Sequence, residues 1–286
     1  SINLLTGFGG LMTMGHAAFW GIGAYTGAIL ATKVGLGMGV SMIVAAIIAG
    51  LFSLLLGLAT LRLKGYFLTI VTLGFCEIVR LVELNFSDLT GGALGISAIP
   101  KPNLFGIQIS DNRGIYYIML GLVVLAAVII FNIVYSRIGL AIQSVRDDDI
   151  AAAAMGVNVF SSRLIAFIVS AMLAGICGAF YAHYISYISP TIFTTNESMK
   201  MLIMTIFGGL GSIPGSIIGA SILTVIPEAI RVLAKYRNLI YGVIIVVLMM
   251  VKPDGLFGSI NFKYMKQRQS LSKEEKEEVK REEEQE

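Results

Sequence analysis

Long apolar runs separated by short polar or glycine-containing stretches dominate the chain. These runs lie at about 14–32, 38–60, 66–84, 114–135, 164–187, 197–210, 213–228 and 238–251. Most approach the length of about 20 residues that an α-helix needs to span a bilayer. The alternation of apolar and polar positions that is typical of a membrane β-barrel is absent. Because lipid permits only helices or closed barrels, we predict an all-α integral membrane protein with about eight transmembrane helices.

The separation of the runs 197–210 and 213–228 depends on the sequence "GGLGSIPG" between them. Glycine permits sharp backbone turns and Pro214 lacks an amide donor, so a helix is expected to break there. If the runs 197–210 and 213–228 are counted as two separate crossings, most Lys and Arg residues fall on the same side of the membrane as the loop 136–163. The positive-inside rule then predicts that this loop and the C-terminus are cytoplasmic.

Composition supports a membrane protein, since 56% of residues are hydrophobic and only 14% are charged. We expect 1–258 to form the transmembrane domain and the strongly charged segment 259–286 to form a cytoplasmic tail. The net charge of +3 and the scattered basic residues suit contact with anionic lipid. Nothing in the pattern indicates binding of nucleic acid.

The stretch "SVRDDDIAAAAMGVNVFSSR" is a polar exception inside the loop 136–163. Its candidate residues are three acids, two alanines of the alanine run and a glycine: Asp147, Asp148, Asp149, Ala151, Ala152 and Gly156. Acids cap helix N-termini, alanine favours the helix, and glycine supplies a left-handed end. The pattern predicts a helix of about two turns, too short to be stable alone. It either docks in a groove of a partner or is an ordinary connector on the membrane.

The N-terminal stretch "LTGFGGLMTMGH" is an apolar segment that glycines interrupt. Its candidate residues for a translocation path are Gly7, Gly9, Gly10, Gly15 and His16. Interrupted helices can present backbone groups to a polar substrate, although glycines also serve loops and close packing. The default interpretation of His16 is an ordinary structural role. Because the chain begins inside an apolar segment, we expect one or more helices to precede it.

Glu77, Arg80 and Glu83 lie three positions apart within the predicted helix 66–84. Arg80 can therefore reach either carboxylate across one turn. Charged groups at membrane depth are costly and usually face protein or water. Glu77 and Arg80 are candidates for the translocation path, with a structural ion-pair network as the alternative, and Glu83 lies close to the membrane edge.

Other motifs argue against enzymatic chemistry in this chain. The sequence lacks a P-loop pattern, a Ser/His/Asp constellation and metal-ligand spacing. "GIGAYTG" follows no strand, so Gly23 and Gly27 indicate close helix packing rather than dinucleotide binding. We expect no catalytic residue, no metal and no cofactor bound by this chain.

Several segments together resemble the branched-chain amino acid permease family of the LivM type. They are "NLLTGFGGLMTMGHAAFWGIGAYTGAIL", "LRLKGYFLTIVTLGFCEIVR", "LTGGALGIS", "AHYISYISP" and "FGGLGSIPGSIIGA", in this order. The loop is also similar to the "EAA" loop of ABC importer permeases. Ala151, Ala152 and Gly156 match that pattern, whereas Ile150 stands at the glutamate position and Asp149 lies one place earlier.

The resemblance implies a multi-pass subunit of a type II-like ABC importer in a bacterial cell membrane. It implies a LivH-type permease as partner, two ABC ATPase subunits that use ATP, and an extracytoplasmic substrate-binding protein. The short helix around 147–156 would couple the ATPases to the path between the permeases. A urea or short-chain amide permease, and a channel or secondary transporter without ATPases, remain alternatives, and a membrane enzyme would need paired catalytic groups.

Overall fold

The computed structural model describes residues 1–63, 65–104, 107–108, 111–229, 242, 250 and 255–256. It divides into two compact units, Ser1–Thr205 and Ile206–Glu286. The expected crossing at 238–251, apart from Gly242 and Met250, and the tail 259–286 lie outside the described residues. The same holds for the expected cytoplasmic C-terminus.

Helices form most of the described chain. The α-helices are α1 (His16–Ile29), α2 (Met38–Thr60), α3 (Tyr66–Asn85), α4 (Ser87–Thr90), α5 (Asn112–Val134), α6 (Arg137–Asp147), α7 (Asp149–Ala154), α8 (Val159–Ile185), α9 (Thr195–Gly208) and α10 (Ile213–Ala229). Turns of π-helix at Leu4–Phe8 and Leu30–Val34 and a 3₁₀ turn at Gly92–Leu94 complete them. The apolar runs of the sequence within the described residues therefore became helices with closely similar bounds.

Three helices of the described chain are long and apolar enough to cross a membrane. They are Met38–Thr60, Arg113–Val134 and Val159–Ile185, and Ile213–Val225 is a shorter apolar helix. The prediction of a mostly helical protein with several apolar helices is confirmed. The count of about eight crossings stays a prediction.

Helices α1, α2 and α8 pack with their backbones in close contact. A Cβ added at Gly23 of α1 would lie 2.2 Å from the carbonyl oxygen of Gly175 in α8. A Cβ at Gly175 would lie 2.7 Å from the Cβ of Ala49 in α2, so three helices meet at this glycine. Apolar surface gains little from leaving lipid, so helices in membranes associate through such close contacts. The small-residue pattern at Gly23 and Gly27 is thereby explained as packing.

Short strands fasten the loops that follow α3 and α8. Strand β1 (Ile96–Ser97) pairs antiparallel with β4 (Tyr187–Ile188), and β2 (Asn103–Leu104) pairs with β3 (Ile107–Gln108). The Nδ1 atom of His183, in the last turn of α8, lies 2.8 Å from the carbonyl oxygen of Pro100 in the loop that follows α3. This role agrees with the expectation of a structural histidine.

In the second unit, the connection between α9 and α10 is a tight glycine turn. Gly209 and Gly211 have φ angles of +117° and +78°, which residues other than glycine rarely adopt. A Cβ at Gly208 would lie 2.2 Å from the carbonyl oxygen of Gly215. Pro214 falls in the first turn of α10, where a missing amide donor costs nothing. The predicted break within "GGLGSIPG" is therefore confirmed.

Candidate functional site

The short helix predicted from the alanine run is α7, and both of its ends are capped. The side chain of Asp148 accepts hydrogen bonds from the amides of Ile150 at 2.8 Å and Ala151 at 3.0 Å. At the other end Gly156 has a φ of +83°. Its amide donates to the carbonyl of Ala153, and the next amide, of Val157, donates to Ala152, both at 3.0 Å. This pair of bonds is a Schellman motif, which satisfies the last carbonyls of the helix.

The three aspartates differ in role, which corrects the prediction that all of them open the helix. Asp147 is the last residue of α6 and forms an ion pair of 2.9 Å with Arg146. Asp148 is the N-cap of α7, and Asp149 is its first residue. Asp149 also pairs with Arg163 of α8 at 3.4 Å. The chain turns between two helices at Asp148, so one acid ends the first helix while the next caps the second.

The faces of α7 are unequal. Ala152 is buried, whereas Ala151 is exposed. Ile150 and Met155 are 77% and 85% exposed, although both are large and apolar. These two residues carried no signal in the sequence, where Ile150 stood out only as a departure from the expected glutamate. Their exposure marks a surface at α7 that the described residues leave uncovered.

A cleft of about 360 Å³ lies beside α7. Its lining consists of Gly10, Leu11, Leu63, Gly65, Val145, Arg146, Asp147, Asp148, Asp149 and Arg163. The structure therefore brings Gly10 of the N-terminal stretch together with the three aspartates of the loop.

Arg146 joins the loop to the N-terminal stretch. Its Nη1 atom donates a hydrogen bond of 2.8 Å to the carbonyl oxygen of Gly7. Its side chain also covers Gly10, where an added Cβ would lie 2.6 Å from the Cγ atom of Arg146. Gly10 has a φ of +66°, so both its conformation and its neighbour favour glycine.

After Gly10, the N-terminal stretch contacts α3. The hydroxyl of Thr69 donates to the carbonyl of Met12 at 3.0 Å, and the amide of Met14 donates to the hydroxyl of Thr72 at 3.1 Å. A Cβ at Gly15 would lie 2.6 Å from the carbonyl oxygen of Thr72. The glycines of this stretch thus permit a bent segment to pack against a neighbouring helix.

Most candidate path residues of the N-terminal stretch are enclosed. Gly7, Gly9 and Gly15 are buried, and Gly10 is exposed. His16 is 3% exposed, and its Nε2 atom lies 2.8 Å from the hydroxyl of Ser1. This setting is that of a structural histidine at the start of α1.

Glu77 and Arg80 form the ion pair that the sequence predicted, but Glu83 does not join it. The Nε atom of Arg80 donates to Oε2 of Glu77 at 2.8 Å. The other carboxylate oxygen, Oε1, accepts from the hydroxyl of Thr195 at 2.7 Å. The pair therefore links α3 to the start of α9 and remains about one-third exposed. This geometry suits a structural link between α3 and α9, and the described chain leaves part of both charged groups uncovered.

Within the described residues, no group of three or more His, Cys, Asp or Glu side chains could hold a metal ion. The arrangement around α7 instead offers a mechanical connection. A capped, partly exposed helix is joined through Arg146 to a bent segment, and that segment is joined through Thr69 and Thr72 to α3.

Comparison with known proteins gives the family. The profile of the family described as "Branched-chain amino acid transport system / permease component" matches residues 1–251. The chain is 36% identical over 278 residues to the high-affinity branched-chain amino acid transport system permease protein LivM of Escherichia coli K12, with 89% of this chain and 65% of that protein covered. The LivM protein of Salmonella typhimurium LT2 gives the same identity and coverage.

The permease protein LivH of Escherichia coli K12 is 26% identical over 186 residues, covering 61% of this chain and 59% of that protein. The chain spans about 65% of the length of the LivM relatives it matches. No solved structure matches. This multi-pass membrane protein with several apolar helices therefore belongs to the permease-component family of branched-chain amino acid transport systems.

Proposed function

We propose that the chain is a permease subunit of a bacterial ABC importer for branched-chain amino acids. The match to LivM proteins over most of the chain supports this assignment. The similarity to LivH proteins supports a related second permease as partner, so that each chain forms half of a type II-like translocation path. An extracytoplasmic binding protein delivers the substrate, and the C-terminus faces the cytoplasm.

The carrying observation for energy coupling is the exposure of two large apolar side chains, Ile150 near the start of α7 and Met155 at its C-cap. Because the helix is capped at both ends, this exposed face of the loop is presented in a fixed conformation. Exposed large apolar residues beside a charged cleft suit burial in the groove of a soluble partner. We assign this face to one of two ABC ATPase subunits, which bind and use ATP, while this chain binds no nucleotide. Asp147, Asp148, Asp149, Ala151, Ala152 and Gly156 shape the helix.

Movement of α7 is passed to the membrane through Arg146. A shift of the loop pulls on Gly7 and presses on Gly10, because both are in contact with the arginine side chain. The bent segment then acts on Thr69 and Thr72 at the start of α3, the helix that carries Glu77 and Arg80. Rigid elements joined in this manner convert a local displacement into a change in access of the path.

The test uses the complete importer, with both permeases and both ATPases, reconstituted in proteoliposomes with its binding protein. Ile150→Arg places a charge on the docking face without altering either cap. Leu94→Arg is the matched control, since Leu94 is 83% exposed on the loop between α3 and α5, which the positive-inside rule places on the side opposite the loop 136–163. We expect Ile150→Arg to lose the ATPase subunits and ATP-driven leucine uptake, and Leu94→Arg to keep both.

Two results would contradict this function. Retention of the ATPases and of uptake by Ile150→Arg would remove α7 from the coupling role. Leucine uptake by the permeases without ATP would favour a channel or secondary transporter, and uptake of labelled urea or a short amide in place of leucine would favour the alternative substrates.

A further inference from the structure

Glu83 is a buried carboxyl group without a side-chain partner among the described residues. It lies in the last turn of α3 and is 4% exposed. Neither carboxylate oxygen has a hydrogen-bond partner among the residues that the structure describes. Only its backbone is engaged, since its carbonyl oxygen accepts from the hydroxyl of Thr90 at 2.6 Å. A carboxyl group in this position is costly to keep ionised unless a cation meets it.

An aromatic cluster adjoins this carboxyl group. A Cβ added at Gly21 would lie 2.7 Å from Oε1 of Glu83 and 3.1 Å from the side chain of Phe193, so Gly21 is the contact between them. The Phe193 ring lies 4.8 Å from that of Trp20 and 5.9 Å from that of Tyr25, centroid to centroid. The hydroxyl of Tyr25 is also buried without a hydrogen-bond partner in the described chain. The Glu83 carboxyl group and the Tyr25 hydroxyl, both without a hydrogen-bond partner in the described chain, thus lie beside a cluster of aromatic rings.

The nearest basic residue on α3 does not neutralise Glu83. Arg80, one turn earlier, bonds through Nε to Glu77. Lys33, in the π-helical turn Leu30–Val34, donates to the backbone oxygen of Asp88. A carboxylate among aromatic rings is a setting that attracts a compact ammonium ion, through charge pairing and through the negative ring faces.

We infer that Glu83 receives the α-ammonium group of the transported amino acid, with the aromatic cluster of Trp20, Tyr25 and Phe193 receiving its aliphatic side chain. The inference rests on the proposed function and names the recognition element of the path. It also gives a reason why an amino acid would be transported in preference to urea or a short amide, because urea and short amides carry no ammonium group. The carboxyl group lies in the last turn of α3, one predicted crossing before the loop 136–163. The positive-inside rule places that loop in the cytoplasm, so we assign this end of α3 to the exterior. Substrate released from the binding protein meets it early.

The side chain is enclosed, so binding requires Phe193 to move away from Gly21. The same contact gives a steric reason for glycine at position 21. A substrate that separates Phe193 from Gly21 takes the place of that contact. Its ammonium ion then binds the carboxylate oxygens of Glu83. The aromatic rings contact the aliphatic portion, which offers no polar group of its own.

The test compares variants in the complete importer with its binding protein, using labelled L-leucine. Glu83→Gln keeps the shape and removes the charge. We expect leucine uptake to fall by about 10- to 100-fold, as for loss of one charged hydrogen-bonded contact. ATP hydrolysis stimulated by the loaded binding protein should persist, since α7 is untouched. Glu83→Asp keeps the charge with a shorter reach and should retain part of the uptake. Asp88→Asn, which neutralises an exposed carboxyl group nearby, is the control and should leave uptake unchanged.

Wild-type uptake by an assembled Glu83→Gln complex would overturn the inference and identify Glu83 as a neutral structural group. Should Glu83→Gln fail to assemble, Phe193→Leu is measured instead, because it removes one aromatic ring of the cluster and keeps an apolar side chain. A several-fold higher KM for leucine is then expected, and an unchanged KM would overturn the inference. Failure of the wild-type complex to transport leucine would instead overturn the proposed function together with this site.

Discussion

The guanidinium group of Arg146 donates a hydrogen bond of 2.8 Å to the carbonyl oxygen of Gly7, a residue 139 positions earlier in the chain. Two other nitrogens of the same group, Nε and Nη2, bind Oδ1 of Asp147 at 3.0 and 2.9 Å. One side chain therefore spans the aspartate-rich loop and the N-terminal stretch, the two regions that carried most of the candidate residues.

Replacement of Arg146 should uncouple ATP hydrolysis from transport. Arg146→Met keeps most of the apolar stem but removes every hydrogen bond of the guanidinium group. We expect the leucine transported per ATP to fall between about 2- and 30-fold, the range of coupling energies carried by such links. Simultaneous measurement of uptake and phosphate release in proteoliposomes checks it. Arg137→Met, at an exposed position at the start of α6, is the control; equal ratios in both variants would contradict a special role of Arg146.

Substitution at Gly10 should destabilise the cleft by two separable effects. Gly10→Ala places a Cβ at a residue with φ +66° and also 2.6 Å from Cγ of Arg146. The backbone strain alone costs about 1–2 kcal/mol. Gly35→Ala is the matched control, because Gly35 has a φ of +71° but nothing within 4 Å of the added Cβ. Thermal unfolding of the solubilised complex should show a larger loss for Gly10→Ala. Equal losses of stability in the two variants would show that the Arg146 side chain moves aside with no cost in free energy.

The packing of α1 on α8 should not tolerate even one methyl group. Gly23→Ala forces a Cβ to within 2.2 Å of a backbone oxygen of Gly175, so whole helices must shift. We expect a loss of stability of about 1–3 kcal/mol or more, as for overpacked cores. In contrast, Gly121→Ala in α5 meets nothing within 4 Å and should be neutral or stabilising, because alanine favours the helix. The midpoint of thermal unfolding distinguishes them, and a stable Gly23→Ala protein would refute the close contact.

Adjacent aspartates should respond differently to alanine. Asp148→Ala removes the side chain that caps α7 and should cost about 1 kcal/mol of helix stability. Asp147→Ala removes only an exposed ion pair, which is worth between about 0 and 1 kcal/mol. Hydrogen exchange of the amides of 150–155 should accelerate in the first variant and change little in the second. Equal acceleration would indicate that Asp147 also caps the helix.

Much of the helical architecture within the described residues follows from local sequence. The run 38–60 became Met38–Thr60, and the break at "GGLGSIPG" became the turn between α9 and α10, because apolar length and glycine chemistry act over short distances. The strand pair Ile96–Ser97 with Tyr187–Ile188 could not be foreseen. Two-residue strands carry no period, and their pairing depends on where distant helices end.

The candidate site was predictable in its parts and not in its connections. The alanine run and Gly156 predicted a short helix with a left-handed end, and Asp148 supplied its cap. Asp147 was misassigned because an acid that ends one helix and an acid that begins the next look alike in sequence. Glu83 was grouped with Arg80 because their spacing permits an ion pair, but the rotamer of Arg80 selects Glu77.

Hydropathy, glycine conformation and helix capping act between near neighbours, so the sequence was enough to predict a membrane-embedded helical chain, the breaks in its helices and the short capped helix. The packing of distant helices was needed to show that Arg146 bonds to Gly7, that Ile150 and Met155 are exposed, and that Glu83 lies beside an aromatic cluster without a partner among the described residues. These relationships join residues far apart in the chain, and their geometry depends on how α1, α3 and α8 pack.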